Sequence, residues 1–232
     1  MKKRSKDKTS KNPIQRWFRQ IITTQFHKAY YNSRPKIWNN TYWLGVQVGK
    51  CPFDMWIYQE IINDTRPDVI IESGTGRGGS TLFFASCCDL VNNGRVISID
   101  ISDQSSKPKH ERITYLRGSS VSAEIINSVK QSLSDTDEVL VVLDSDHSKE
   151  HVLKELNTYG RYVTAGSYII VEDTNAGGHP VKKGHYPGPM EAVREFVRTN
   201  PSFTIDKSKE KFLLTFNPNG YLKKLTMTKG QY

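Results

Sequence analysis

The chain has 232 residues, 36% hydrophobic and 25% charged, enough for one sizeable core and predicting a single domain. No stretch approaches the roughly 18 consecutive apolar residues of a membrane-spanning helix. No apolar segment follows the basic start MKKRSKDKTSKNP as a secretory signal requires, so a cytoplasmic protein is expected. The net charge of +9 is confined to one end: residues 1–36 hold eleven Lys and Arg against Asp7 alone, leaving the rest of the chain at −1.

Residues 1–12 read as a disordered basic tail, with an anionic partner as its expected electrostatic contact. Residues 13–40 read as an amphipathic helical extension, because Ile14, Trp17, Phe18, Ile21, Ile22 and Phe26 recur at helical spacing with Arg16, Arg19 and Lys28 between them. A membrane-surface helix has this pattern. So does a helix packed on the body or on a second subunit, which is the expectation here.

From 41 to the end the chain reads as one catalytic domain. PDVIIES, NGRVISID, ERITYLRGSS, EVLVVLDSD and SYIIVEDT are short apolar runs, most of them ending in acids, and helix-length segments at 78–91, 121–133, 149–160 and 189–199 alternate with them. Such alternation predicts an α/β fold: a doubly wound, mostly parallel, Rossmann-like sheet covered on both faces. KFLLTFNPNGYLKKL reads as strand, turn and strand, an antiparallel C-terminal edge hairpin turning at Asn217–Gly220. Cys51, Cys87 and Cys88 have neither disulfide nor zinc spacing and are expected to be reduced core thiols.

In sheets of this kind ligands bind beyond the carboxyl ends of the strands. Those ends carry Glu72, Asp100, Ser119, Asp144 with Asp146, and Glu172 with Asp173. The loop from Glu72 through Gly74, Thr75, Gly76, Gly79 and Ser80 lets backbone approach a ligand and opens onto a helix N-terminus. It lacks the Lys-Ser/Thr of a P-loop, and its G-x-G-x-x-G string alone would suit a dinucleotide. Glu72 decides between them: it would repel a pyrophosphate but suits the cationic S-adenosylmethionine. Asp100 is placed to accept the ribose hydroxyls, and Ser119 and Asp144 complete the expected cofactor contacts.

The acids after the fourth and fifth strands converge, because neighbouring strands lie about 5 Å apart. Carboxylates crowded this way call for a cation, and oxygen ligands without thiolates point to Mg²⁺, with Ca²⁺ or Mn²⁺ as alternatives. Such a metal would lower the pKa of the hydroxyl to be methylated. His147 and Lys149 are the candidate bases. His151, His179 and His185 are bystander candidates, the last two in a Gly/Pro-rich loop over the site.

WLGVQVGKCPFDMW, PDVIIESGTGRGGS, VLDSDHSKEHVLKEL, GSYIIVEDTNAGGHP, PGPMEAV and FNPNGYLKK together resemble the cephalosporin hydroxylase family over about residues 41–225. Its members are S-adenosylmethionine-dependent methyltransferases and include rhamnosyl O-methyltransferase-type proteins. The resemblance implies metal-assisted O-methyl transfer to a sugar or natural-product hydroxyl, homo-oligomers, and a metal site from an acid after the fourth strand plus the Glu-Asp pair after the fifth. These roles map to Asp146, Glu172 and Asp173; catechol-type enzymes, whose metal acid directly follows the strand, make Asp144 the alternative. Two competing functions are weaker. A nucleic-acid methyltransferase would spread positive charge round its cleft, and an iron oxygenase would need a facial triad that is absent.

Overall fold

A computed structural model describes residues 12–226, so the expected basic tail lies almost wholly outside the described residues. Helix α1 (Pro13–Tyr31) starts on Asn12, whose side chain accepts the Ile14 amide, with Pro13 in the first turn where a missing N–H costs nothing. A small antiparallel ribbon, β1 (Tyr42–Trp43) and β2 (Val46–Gln47), leads to α2 (Pro52–Thr65). The main sheet then follows as β3 (Val69–Ser73), β4 (Arg95–Asp100), β5 (Ile113–Arg117), β6 (Val139–Leu143), β7 (Tyr168–Val171), β8 (Phe203–Ile205) and β9 (Tyr221–Lys224). Between them run α3 (Gly79–Val91), α4 (Ala123–Gln131), α5 (Lys149–Tyr159) and α6 (Pro189–Thr199).

The spatial order is β5-β4-β3-β6-β7-β9-β8, parallel from β5 through β7 and antiparallel at β9 and β8. Winding reverses between β3 and β6, so the crevice beyond their carboxyl ends is the expected ligand position. β3, β6 and β7 are buried along their whole length: β6 is Val and Leu throughout, β7 opens on Tyr168 and continues as Ile and Val, and β3 is Val and Ile until it ends in the buried polar pair Glu72 and Ser73. One core layer lies under α4, α5 and α6, including Ile125, Val152, Leu156 and Phe196. The other lies under α2 and α3, including Ile57, Tyr58, Ile61, Phe84 and Cys88. All three cysteines are free and buried, and burial pushes the Cys51 thiol up to about 12 and the Cys88 thiol up to about 11.

Two expectations change. The edge pair exists, but β9 pairs with β8 at Phe203–Ile205 and not with residues 211–216. The reason lies in the buried Asp54 of α2, whose carboxylate takes the Thr215 hydroxyl and the Phe216 amide at 2.8 Å and so draws that segment away from the sheet. Phe216 then packs among Tyr31, Trp38 and His27. The second change concerns α1. Its apolar stripe does not face the body: Ile14, Trp17, Phe18, Ile21, Ile22 and Phe26 are all exposed. Among the described residues no helix is long and apolar enough to cross a membrane.

Candidate active site

The glycine-rich loop joins β3 to α3. Gly74 has φ +88°, and a Cβ there would collide with the Asp144 carbonyl, so only glycine lets the loops after β3 and β6 touch. Beneath the loop, Glu72 is fully buried. It accepts Ser80 Oγ at 2.5 Å, Ser98 Oγ at 2.7 Å and the Thr81 hydroxyl. Thr75 Oγ1 lies 2.7 Å from Ser98 Oγ, and Gly79 packs against the Gln47 carbonyl. Glu72, Thr75, Gly79 and Ser80 therefore hold the loop in shape from below.

Above the loop lies a cavity of about 620 Å³ lined by Gly74, Gly76, Asp100, Ser119, Asp144 and Asp146, among others. Asp100 Oδ2 accepts the Gly76 amide at 3.0 Å and Oδ1 the Ser102 amide at 2.8 Å. Burial alone would raise its pKa, but the Ser102 and Gly76 donors and nearby Lys107 outweigh it and hold the carboxyl below the ordinary range. An ionised acid with room before it suits a pair of ribose hydroxyls. Five of the residues expected at the cofactor (Gly74, Gly76, Asp100, Ser119 and Asp144) thus share one cavity.

The second half of the site lies at the ends of β6 and β7. Ligand atoms of Asp144, His147 and Asp173 lie within 4.8 Å of one another. His147 stands between the two acids, with Nε2 3.2 Å from Asp144 Oδ1 and Nδ1 3.7 Å from Asp173 Oδ2. Asp173 adopts φ +52°, a left-handed conformation costly for a non-glycine residue. It is held there by its amide donating to the buried Asn217 Oδ1 at 3.2 Å, while Asn217 Nδ2 donates to the Tyr58 hydroxyl at 2.6 Å.

Lys50 enters from the segment before α2 and is 95% removed from solvent. Its Nζ lies 2.5 Å from Asp144 Oδ2 and 2.7 Å from Glu172 Oε1. Burial works against its charge, but Asp144 and Glu172 outweigh that and raise its pKa. Burial raises the Glu172 carboxyl, aided by repulsion from Asp144 and opposed by Lys50. Asp144 goes the other way: Lys50 and His147 overcome its burial and keep it ionised. Burial also lowers the His147 pKa, yet Asp144, Asp173 and Glu172 more than reverse this and take it up to about 9. Three carboxylates thus face one lysine and one imidazole in a largely dry site, and Glu172 Oε1 makes no well-formed hydrogen bond despite the adjacent lysine.

The other expected residues sit elsewhere. Asp146 is exposed on the cofactor side, where Oδ1 accepts the Ser148 amide at 2.8 Å and anchors the turn into α5. It does not join the carboxylate cluster, whose acid from this loop is Asp144. The Lys149 ammonium pairs with Glu195 of α6 at 2.7 Å and is not directed at the acids. His151 lines the 620 Å³ cavity 3.1 Å from Ser120, and His179 pairs with Glu191 at 2.7 Å. The loop carrying His179 does approach the site: its Pro187 carbonyl accepts the Lys149 amide at 3.1 Å. Lys50 and Asn217 were not identified from the sequence, although Lys50 falls in the apolar run just before a proline-started helix, an unusual place for a lysine.

Comparison with known proteins shows the family and the fold. Residues 35–225 match the family described as Rhamnosyl O-methyltransferase/CmcI. A rhamnosyl O-methyltransferase of Mycobacterium leprae is 36% identical over 207 residues, covering 87% of this chain and 90% of that protein. The protein of the same name from Mycobacterium tuberculosis is 34% identical over 208 residues, covering 87% of this chain and 84% of that one. Among solved structures, CmcI with Mg and SAM superposes with TM-score 0.63 at 18% identity, over 81% of this chain and 78% of that chain. An O-methyltransferase from Bacillus cereus in complex with SAH superposes with TM-score 0.54 at 14% identity, over 81% of each chain, and these two likenesses speak for the fold. With sequence relatives at that identity and a family match spanning the whole catalytic body, the chain belongs to the rhamnosyl O-methyltransferase/CmcI family, an S-adenosylmethionine-dependent O-methyltransferase lineage.

Proposed function

We propose that this S-adenosylmethionine-dependent O-methyltransferase acts on a hydroxyl of a sugar or sugar-bearing natural product, with Asp144, Glu172 and Asp173 holding a divalent cation and His147 taking the acceptor's proton. One observation carries the reading: Asp144 belongs both to the 620 Å³ cavity and to the carboxylate cluster, so methyl donor and cation site share a wall. The donor set fits a hard cation such as Mg²⁺, because Asp144 and Asp173 bring ligand oxygens within 4.8 Å of one another, Glu172 joins them through the Lys50 it shares with Asp144, and no thiolate is among them. When bound, the cation supplies charge that lowers the pKa of an acceptor hydroxyl.

The chain's own residues do the rest. Asp100 and the loop of Gly74 and Gly76 bind the donor's ribose and backbone-facing atoms, fixing the methyl group for in-line attack. His147, half-buried between Asp144 and Asp173, is held in orientation by both and receives the proton as the hydroxyl oxygen attacks. Neutralising the surrounding acids brings the imidazole back from about 9 toward the range in which it accepts a proton near neutral pH. Asn217 keeps the strained Asp173 backbone pointed at the site. The loop over His147 closes the acceptor side.

Support for the sugar acceptor comes from the named activity of the mycobacterial relatives. Three free buried thiols support a reducing, cytoplasmic compartment. The test is transfer of labelled methyl from S-adenosylmethionine to a panel of rhamnose-bearing and other glycosidic acceptors, with Mg²⁺ or with chelator. Metal-dependent labelling of a glycoside supports the reading. Labelling unaffected by chelator overturns the cation role, and labelling of phenolic but not glycosidic acceptors overturns the sugar.

A further inference from the structure

Helix α1 docks on the body by its less apolar side. His27 and Tyr31 are its buried residues. His27 Nε2 lies 2.8 Å from the Asn175 side-chain amide, and its ring stacks on Phe216 at 5.6 Å. Tyr31 packs on Phe216 and Trp38 with ring centroids 5.3 and 5.5 Å apart. At the α-helical repeat these two contacts share one side, and the apolar stripe lies on the other. Ile14, Trp17, Phe18, Ile21, Ile22 and Phe26 are between 38% and 65% exposed. Scattered exposed apolar residues are ordinary, but six large ones in a continuous stripe mark a surface that is covered in use.

The charge around the stripe says what covers it. Residues 13–36 contain Arg16, Arg19, Lys28, Arg34 and Lys36 and no acid. In helical projection Arg19 borders the stripe beside Phe26, Lys28 falls within its other edge between Trp17 and Ile21, and Arg16 lies on the far side beside His27. A second copy paired through the same stripe would set two wholly basic segments face to face, and the rest of the chain, at −1, has no acidic excess to compensate. An anionic lipid surface meets both needs, since the stripe enters the acyl boundary while Arg19 and Lys28 at its edges reach the headgroups.

We propose that α1 is an interfacial anchor that lies on anionic lipid. His27 and Tyr31 fix its C-terminal end to the body, His27 through Asn175 in the loop that carries Asp173, so the site is held beside that surface. The anchor lies outside the methyl-transfer machinery and stands or falls independently of the acceptor's identity.

The test is flotation of the full chain with phosphatidylcholine vesicles and with vesicles containing a quarter phosphatidylglycerol. Partition onto the anionic vesicles should exceed that onto neutral ones by about tenfold or more and fall in high salt. The Trp17 emission should shift to the blue on binding, a shift absent in Trp17→Phe. Phe18→Glu/Ile21→Glu and, separately, Arg19→Glu/Lys28→Glu should each weaken partition by about tenfold or more. S-adenosylhomocysteine affinity by calorimetry should be unchanged in both, showing that the body is intact. Equal partition onto both vesicle types, or none, overturns the proposal. So does a lipid-free oligomer that Phe18→Glu/Ile21→Glu converts to monomer, which would assign the stripe to a second copy.

Discussion

Glu72 and Glu172 end two parallel strands of the same sheet, and both are buried. Their surroundings differ in kind. Glu72 is enclosed by the hydroxyls of Ser80, Thr81 and Ser98, neutral donors from its own helix and the adjacent strand. Glu172 faces Asp144 and Asp173, and its nearest partner is Lys50, which it shares with Asp144. A buried carboxylate saturated by local hydroxyls is scaffold. One set among other carboxylates with too little positive charge is a place built for something that is added. The glycine-rich loop and the acid cluster therefore meet at Asp144 but are stabilised by different physics.

The sharpest way to break that contrast is at the cluster. His147→Gln should lower kcat by about 10²–10⁴-fold, the usual contribution of a positioned base, with S-adenosylhomocysteine affinity unchanged by calorimetry. Glu172→Gln and Asp144→Asn should each lower metal-dependent turnover by at least about 10²-fold. The Glu172→Gln protein should melt close to the parent, because burial and Asp144 already push the Glu172 carboxyl up toward its neutral form and Asp144 still pairs with Lys50. If it melts well below the parent, Glu172 is scaffold after all and the contrast fails.

The loop side should behave in the opposite manner. Asp100→Asn should weaken S-adenosylhomocysteine binding by about 10–10²-fold through loss of charge-assisted hydrogen bonds, leaving stability nearly untouched. Unaltered affinity would remove Asp100 from the cofactor site. Glu72→Gln cannot accept all three hydroxyls as a carboxylate does, and should cost about 1–3 kcal/mol of stability. Urea titration reads this directly. A variant as stable as the parent but unable to bind cofactor would make Glu72 a contact and not a support.

How much of this the sequence carried depends on the kind of constraint. The glycine loop was legible because Gly74, Gly76, Gly78 and Gly79 crowd together after an apolar run, and the structure adds the reason at Gly74, where a Cβ would strike the Asp144 carbonyl. The parallel sheet was legible because its buried strands are short apolar runs, with polar residues gathered at their carboxyl ends. The choice between Asp144 and Asp146 was not, since two residues apart in a turn there is no periodicity to say which points at β7. The turn spends Asp146 on the Ser148 amide. Lys50 lies 94 residues from Asp144 and is joined to it only by the tertiary fold. Residues 211–216 are apolar enough for a strand, but Asp54 competes for their hydrogen bonds and wins. For α1 the period revealed the stripe, while its direction was set by His27 and Tyr31 at one end.

The smallest expected effect tests whether the acid-bearing loop is also braced from outside. Burial between Phe216 and Asn175 pulls the His27 pKa from 6.5 down to about 4. Between those values the unfolded chain binds the proton and the folded chain does not, so the stabilising contribution of a neutral His27 is complete above pH 6.5 and drains away as pH falls toward 4. Discounted for the incomplete burial, that is about 1–3 kcal/mol. Other groups titrate in the same window, so the measurement is a difference: stability of the parent minus that of His27→Gln, from urea unfolding at pH 7.5 and pH 5. The difference should shrink at the lower pH, because the glutamine has no proton to gain. Accelerated amide exchange in the loop after β7 should accompany the loss in the parent, since Asn175 then loses its partner on α1. A difference that stays constant across the two pH values would mean that His27 holds α1 by packing alone, and that the loop bearing Asp173 relies on Asn217 for its position.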